Sequence, residues 1–211
     1  MCGIAGLIHR GKSSNVGEEL QNMLQALKHR GPDSTGYALY ANNDGQNFIM
    51  RFKVGENVGE GSTSVNEDES VYDKRKKLVD KKLSELGSTI MKEEKLTPYS
   101  YRYEIKYGKD LMWFSKAIES IESVEILSIG KSLELIKDLG DAITVSERYG
   151  LNKVQGTHGI GHARMATESG VDIKSAHPFW GYPFADVSVV HNGQLTNYWN
   201  NRRMLENKGM R

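Results

Sequence analysis

The chain begins Met1-Cys2-Gly3-Ile4-Ala5-Gly6-Leu7-Ile8, an apolar stretch with two glycines that predicts a short buried strand over residues 2–8. This stretch lacks the basic segment that opens a signal peptide, and its apolar run is too short for one. It also contains the only cysteine among the 211 residues, so the chain can form no intrachain disulfide and no multi-cysteine metal site. The sequence therefore raises the question of why its single thiol stands at position 2.

Position 2 offers this thiol a chemical role that an interior cysteine lacks. A cysteine in an apolar stretch is ordinarily a small buried hydrophobe. Cysteine is also small enough for Met1 to be removed, which would make Cys2 the new N-terminus. Thiols ordinarily have a pKa of about 8.5 and α-amines one of about 7.7–8.0, so about a tenth of such an amine is unprotonated at neutral pH. The amine could then accept the thiol proton and later protonate a leaving amine, so Cys2 is a candidate nucleophile that needs no histidine partner.

Hydrophobic periodicity predicts the elements that follow. An amphipathic helix is expected from Val16 to His29, because apolar residues recur at i, i+3, i+4 and i+7 from Leu20. Residues 36–41 and 48–54 are predicted to pair as a hairpin through a turn at 43–45. The later predicted elements are a solvated loop at 55–70, a charged helix at 73–86, a strand at 100–107, a hairpin of 124–129 with 133–136, a helix capped by Asp141 and ending at Tyr149, strands at 156–165 and 187–191, and a helix at 197–208. Strands at both ends of a mixed segment indicate an α+β fold with stacked antiparallel sheets.

Composition argues against several classes of protein. Lys and Arg number 28 against 27 Asp and Glu, so no general basic field points to nucleic acid. The mean hydropathy is -0.55, and no apolar run approaches the roughly 20 residues of a membrane span, so no membrane partner is expected. With no targeting segment, a cytoplasmic location is expected. His158 and His162 are four residues apart, but the glycines around them argue against the helix that would align them on a metal, and no metal site is expected.

Two clusters of glycine and polar residues lie at the ends of predicted elements. In the first, 29–36, a helix end accounts for the basic residues and for Gly31-Pro32, but not for Asp33-Ser34 leading directly into a strand. In the second, 159–167, Arg164 stands in a strand among small residues, as expected where a ligand approaches the backbone. Because arginine is a natural bidentate clamp for a carboxylate, Arg164 is a candidate ligand-binding residue.

A third cluster, His191-Asn192-Gly193, follows a predicted strand. Asn-Gly after a strand is usually a turn. The same pair can form an oxyanion hole, with the Asn192 side-chain amide and the Gly193 N–H as donors, and both interpretations remain open at this point.

Taken together and in this order, the N-terminal stretch and these clusters resemble the class II glutamine amidotransferases, the cysteine branch of the N-terminal nucleophile hydrolases. The matching blocks are Met1-Cys2-Gly3-Ile4-Ala5-Gly6, His29-Arg30-Gly31-Pro32-Asp33-Ser34, Gly161-His162-Ala163-Arg164-Met165-Ala166-Thr167 and His191-Asn192-Gly193. Within the family, Ala176-His177-Pro178-Phe179 and the long segment between the blocks are most similar to the glutaminase subunits and domains related to glutamate synthase.

The resemblance implies a four-layer αββα sandwich with the active site at one end of two stacked antiparallel sheets. It implies these site residues: Cys2 as nucleophile, Asn192 and the Gly193 N–H as oxyanion hole, Arg164 on the glutamine α-carboxylate with Thr167 nearby, and Arg30 and Gly31 in the loop over the site. It implies no metal and no cofactor in this chain, whereas a partner subunit would carry FMN and iron–sulfur clusters.

The resemblance also predicts the extent of the domain. Residues 1–211 are expected to form one glutamine amidotransferase type 2 domain with a family-specific insert at about 55–155. The family places an acidic residue for the substrate α-amine on a strand beyond the last helix, and the sequence ends at Arg211, about where that strand should begin. The domain is therefore expected to be incomplete at its C-terminus. The chain also departs from the family pattern at Met165 and Glu168, where an aromatic residue and a histidine are frequent.

The leading functional hypothesis is the hydrolysis of L-glutamine to glutamate and ammonia through a thioester on Cys2. The ammonia would pass to a synthase partner of the glutamate synthase type. The alternative is a catalytically weak regulatory or binding subunit with the same fold. A third hypothesis is another amide hydrolase such as an acylase, against which Arg164 argues because it suits a free α-carboxylate.

Overall fold

Two four-stranded antiparallel sheets form the centre of the molecule. The computed structural model describes residues 2–31, 33–56, 67–165, 173–193 and 195–210. The strands are β1 (Gly3–Ile8), β2 (Ser34–Ala41), β3 (Phe48–Lys53), β4 (Thr89–Thr97), β5 (Ser100–Lys106), β6 (Glu125–Gly130), β7 (Leu133–Leu139), β8 (Gly156–Arg164), β9 (Phe179–Trp180) and β10 (Ser188–Val189). The α-helices are α1 (Val16–Ala26), α2 (Glu69–Glu85), α3 (Leu111–Glu119), α4 (Ala142–Tyr149) and α5 (Tyr198–Asn207), and short 3-10 turns cover Lys28–Arg30 and Leu151–Lys153.

The sheets are stacked and each is covered by helices on its outer face. The first sheet has the order β1-β8-β2-β7 and the second has β4-β5-β3-β6, while β9 and β10 form a separate ribbon. One core joins α1 and α4 to the first sheet through Leu20, Leu24, Tyr37 and Val145. The other core joins α2 and α3 to the second sheet and is built from large buried side chains that include Phe52, Tyr103, Leu83 and Phe114. This arrangement confirms the predicted α+β class with two stacked antiparallel sheets.

Both predicted hairpins are wrong, although their strands exist. Strand β2 pairs with β7 and β8, whereas β3 pairs with β5 and β6, so the connection between β2 and β3 passes from one sheet to the other. The same holds for β6, in the second sheet, and β7, in the first. The turn between β6 and β7 is capped from far along the chain, because the Asp186 carboxylate accepts hydrogen bonds from the N–H groups of 131–133. Alternation in a sequence predicts a strand but not its partner.

Most of the other predicted elements are present, and the exception has a local cause. The structure has a helix over most of 73–86, a strand at 100–106 and a helix after Asp141, whose side chain accepts a hydrogen bond from the Thr144 N–H. Strand β4 has no clear sequence signal, because it lies at a sheet edge and most of its side chains are polar and exposed. The segment 55–155 carries three of the four strands of the second sheet and β7 of the first, so it forms most of the second sheet and one edge of the first. Its family-specific character remains a prediction.

A polar layer connects the two sheets. The buried Glu134 of β7 accepts hydrogen bonds from Arg51 of β3 and Arg102 of β5. Burial raises the pKa of the Glu134 carboxyl, but the two guanidinium groups outweigh this effect and lower that pKa to about 2. In the same layer, the Lys53 ammonium donates to the Lys137 carbonyl oxygen at 2.8 Å. These charge-assisted bonds hold β7 against the second sheet and fix the distance between the layers.

The segment 173–193 approaches the first sheet closely at one point. A Cβ added at Gly36 of β2 would stand 2.0 Å from the His177 carbonyl oxygen and 2.7 Å from Pro178 Cδ. Only a residue without a side chain allows this backbone to lie so near the strand. The segment 173–193 therefore reaches the end of the sheet where β2 begins.

We predict that Gly36→Ala destabilises the fold by roughly 1–3 kcal/mol, because the new methyl group would have to displace backbone. Gly108 is the matched control, since a Cβ added there has no atom within 4 Å. The measurement is urea unfolding of both variants beside the parent chain. Equal midpoints for the two variants would contradict the close packing of 177–178 against β2.

Candidate active site

Cys2 lies where three strands meet at one end of the first sheet. Gly3, the first residue of β1, pairs with Ala163 of β8, and Ala163 pairs on its other side with Thr35 of β2. Cys2 comes directly before β1, and it is half-buried with a free thiol. Arg164, the last residue of β8, is in register with Ser34, the first residue of β2. The sheet thus brings Cys2 and Arg164 to the same end.

The pleat of the strands decides which face these side chains occupy. Thr35 and Tyr37 point to the outer face, where their hydroxyls donate to the carbonyl oxygens of Gly140 and Ala142. Side chains alternate along a strand, so Ser34 and Arg164 lie on the opposite face, toward the second sheet. A Cβ on Gly3 would stand 3.0 Å from Leu27 Cβ, at the end of α1 and thus on the outer face. Alternation from Gly3 places Cys2 on the inner face with Arg164.

The turn at 191–193 contacts Cys2. The Asn192 side-chain amide donates a hydrogen bond to the Cys2 carbonyl oxygen at 3.1 Å, across 190 positions of sequence. Gly193 follows with φ +154°, a conformation that favours glycine. The His191 ring lies beside it, 3.1 Å from where a Gly193 Cβ would stand. All three residues are exposed. The sequence-predicted pair Asn192 and Gly193 is therefore next to Cys2.

The loop that carries Arg30 and Gly31 crosses the end of β8. A Cβ on Gly31 would stand 2.4 Å from the carbonyl carbon and oxygen of Ala163, so this backbone lies directly on the strand. The Asp33 N–H then donates to the Arg164 carbonyl oxygen at 3.2 Å. Arg30 is half-buried in the turn before it. Thr167, the other predicted binding residue, lies outside the described residues, as does Glu168.

A row of histidines beside the site was not predicted from the sequence. His162 of β8 is 2% exposed, and its ring centroid lies 5.0 Å from that of His177, which lies 6.5 Å from that of His191. Burial lowers the pKa of His162 to about 4, with further contributions from His177 and Arg164. Burial likewise lowers the pKa of His177 to about 4, assisted by His191, Lys137 and Arg164. The described part of the site thus places neutral imidazoles next to Arg164 at neutral pH.

The spacing of His158 and His162 raises the possibility of a shared metal, which the sequence argues against. In the structure, the His158 ring stacks on Tyr40, with 3.9 Å between the ring centroids. Two sequence features could have pointed to the histidine row. His162 stands in a glycine-rich strand, and His177 directly precedes Pro178. Within the described ranges, no group of three or more His, Cys, Asp or Glu side chains is arranged to hold a metal ion. No helix of those ranges has both the length and the apolar character required to cross a membrane.

Comparison with known proteins gives the family. No family model matches the sequence. The putative glutamine amidotransferase of Methanothermobacter thermautotrophicus is 38% identical over 214 residues, covering 99% of this chain and 66% of that protein. The glutamine amidotransferase-like protein GlxB of Rhizobium meliloti is 32% identical over 212 residues, covering all of this chain and 64% of that protein. The glutamine–fructose-6-phosphate aminotransferase of Methanococcus maripaludis matches 49% of this chain at 32% identity.

The stacked sheets, the position of Cys2 beside Asn192 and these similarities define the class of protein. The chain belongs to the class II glutamine amidotransferase family. It spans about two thirds of the length of the first two relatives.

We predict that the two low-pKa histidines make the fold sensitive to mild acid. A histidine with a pKa of about 4 when folded, against about 6.5 when unfolded, stabilises the fold fully above pH 6.5 and loses that contribution as the pH falls toward 4. His162→Gln removes one of the two groups, so its melting temperature should fall less steeply than that of the parent chain between pH 6.5 and 4. Exposed His29→Gln is the control and should keep the parent slope. Identical slopes for all three proteins would contradict the burial of His162.

Proposed function

We propose that this chain catalyses the glutaminase half-reaction of an amidotransferase, hydrolysing L-glutamine to glutamate and ammonia through a thioester on Cys2. The single observation that carries the proposal is the 3.1 Å hydrogen bond between the Asn192 amide and the Cys2 carbonyl oxygen. It brings the best candidate oxyanion donor to the backbone of the residue that carries the only thiol of the chain, although the two are separated by nearly the whole sequence.

The proposed reaction follows from the groups at this end of the sheet. After removal of Met1, the Cys2 α-amine accepts the thiol proton, and the sulfur attacks the side-chain amide carbon of glutamine. The Asn192 amide and the Gly193 N–H stabilise the resulting oxyanion. The proton on the α-amine passes to the departing nitrogen, which leaves as ammonia while the thioester remains. Water then adds to the thioester, releases glutamate and restores the thiol.

Arg164 supplies the binding end of the site. It lies on the same face as Cys2 and at the end of the neighbouring strand, so a substrate can lie across the strands with its amide at the sulfur. A guanidinium group binds a carboxylate through two parallel hydrogen bonds, and free glutamine offers its α-carboxylate. Arg30 and Gly31 would close the loop side of this site, and Thr167 is proposed as a further binding residue. This arrangement supports glutamine over an amide that lacks a free carboxylate.

We further propose that the ammonia goes to a synthase partner of the glutamate synthase type. Support comes from the resemblance of 176–179 and of the 55–155 segment to glutaminases of that group. The FMN and iron–sulfur clusters of such a reaction would belong to the partner. The cytoplasmic location expected from the sequence and the limits of the domain also remain predictions.

One observation favours the alternative of a catalytically weak regulatory or binding subunit. The 191–193 turn is exposed, and the Asn192 amide already donates to the Cys2 carbonyl oxygen, a bond that would have to be exchanged for one to the oxyanion. A site that needs an additional contact to orient Asn192 would bind glutamine and turn it over slowly. Measured turnover by the chain with a free Cys2 amine separates the two functions.

We predict that activity requires a free α-amine on Cys2. A chain with one residue left ahead of Cys2, verified by mass spectrometry, should fold normally and release no ammonia from glutamine. Cys2→Ser should also be inactive, because so weak a base cannot activate a hydroxyl of much higher pKa. Circular dichroism provides the folding control for both proteins. Normal turnover by the extended chain would rule out the mechanism.

We predict opposite kinetic effects at the two ends of the site. Arg164→Lys should mainly raise KM, since a point charge replaces a bidentate fork. Asn192→Ala should mainly lower kcat, by roughly 10²–10³, because its hydrogen bond gains strength as the oxyanion forms. Asn207→Ala, at the end of α5, is the control and should leave both constants unchanged. Steady-state ammonia release is the measurement, and the reverse pattern would refute these assignments.

A further inference from the structure

A buried hydroxyl at the end of the first sheet has no hydrogen-bond partner. Ser34 is 0% exposed, and its Oγ makes no hydrogen bond to any residue of the described chain. Buried side-chain hydroxyls are normally bonded, and each exception calls for a physical explanation. The neighbouring Thr35 illustrates the usual case, because its hydroxyl donates to the Gly140 carbonyl oxygen on the outer face.

The register of the strands places this hydroxyl in the same row as the proposed site. Ser34 of β2 pairs with Arg164 of β8, and Cys2 precedes the β1 residue that pairs with Ala163. All three side chains lie on the inner face of the sheet by alternation. Adjacent strands are about 4.8 Å apart, so the order across the sheet is Ser34, Arg164, Cys2, with roughly 10 Å between the outer two backbones.

This order decides which end of a substrate Ser34 would meet. The amide carbon must lie at Cys2, and the α-carboxylate lies at the other end of a glutamine molecule. Arg164 lies between Cys2 and Ser34, so Ser34 flanks the arginine on the side away from the sulfur. A serine hydroxyl can donate one hydrogen bond. A carboxylate has several acceptor sites, so it can accept from this hydroxyl and from the Arg164 guanidinium together.

We propose that Ser34 is a further substrate-contacting residue, whose hydroxyl donates a hydrogen bond to the glutamine α-carboxylate beside Arg164. This inference rests on the proposed function, because it assumes that glutamine occupies the site. It explains why a buried hydroxyl is left without a partner inside the protein. The bound substrate supplies the acceptor.

The test compares Ser34→Ala with two matched controls. Ser34→Ala should raise KM for glutamine roughly ten- to a hundredfold with little change in kcat, the expected effect of losing a hydrogen bond to a charged group. Its melting temperature without substrate should be unchanged or higher, because the substitution removes an unsatisfied buried group. Ser34→Thr retains the hydroxyl and should keep KM near the parent value.

The controls separate a substrate role from a structural one. Ser146→Ala removes another fully buried, unpartnered hydroxyl, on α4 at the outer face, and should leave KM unchanged. Thr35→Val removes a bonded hydroxyl from the same strand and should lower the melting temperature without changing KM.

A substrate analogue identifies the group that Ser34 contacts. Glutaramate keeps the carboxylate and the terminal amide but lacks the α-amine, so Ser34→Ala should weaken glutaramate and glutamine by the same factor. A loss confined to glutamine would place the hydroxyl at the amine and overturn the assignment. Unchanged KM in Ser34→Ala, with an active parent chain, would overturn this inference alone. A parent chain with a verified free Cys2 that releases no ammonia would overturn the proposed function, and this inference with it.

Discussion

The position of β8 between β1 and β2 is the constraint on which the site depends. Residues of β8 are hydrogen-bonded to β1 on one side and to β2 on the other, both antiparallel. The start of the chain, the end of β8 and the start of β2 must therefore lie side by side. Backbone hydrogen bonds between strands, rather than contacts between side chains, bring Cys2 next to Arg164. The relative positions of the proposed nucleophile and the proposed carboxylate clamp thus depend on the same hydrogen bonds between strands that hold the first sheet together.

Glycines on these strands and in the turn before β2 allow other segments to reach that end of the sheet. Gly31 lies against the Ala163 carbonyl group, Gly36 admits the backbone of His177, and Gly161 accommodates Leu24 of α1. A side chain at any of these positions would displace a neighbour. The absence of a side chain at Gly161 lets α1 pack on the outer face, and the absence of one at Gly36 leaves room on the inner face for the 173–193 segment. That segment carries Asn192 to Cys2.

Electrostatics differs between the middle of the sandwich and its end. Between the sheets, the carboxylate of Glu134 is matched by two guanidinium groups, so its charge is fully compensated. Near Arg164, the neighbouring titratable rings are histidines that burial keeps neutral at neutral pH. At neutral pH these two rings therefore add no positive charge beside Arg164. We propose that an anionic group of the substrate binds at this end of the sheet.

The sequence alone predicted Cys2, Arg164 and the Asn192-Gly193 pair as site residues, because residue type and position in the chain carry that information. It also determined most strands and helices, since period and capping are local properties, although charged edge strand β4 has no such signal. Only the tertiary structure decided that β2 and β3, and likewise β6 and β7, belong to different sheets. It alone placed Ser34 and His162 beside Arg164 and in the interior, since these positions depend on register and burial. Strand partners are chosen by contacts between distant segments, which no local pattern encodes.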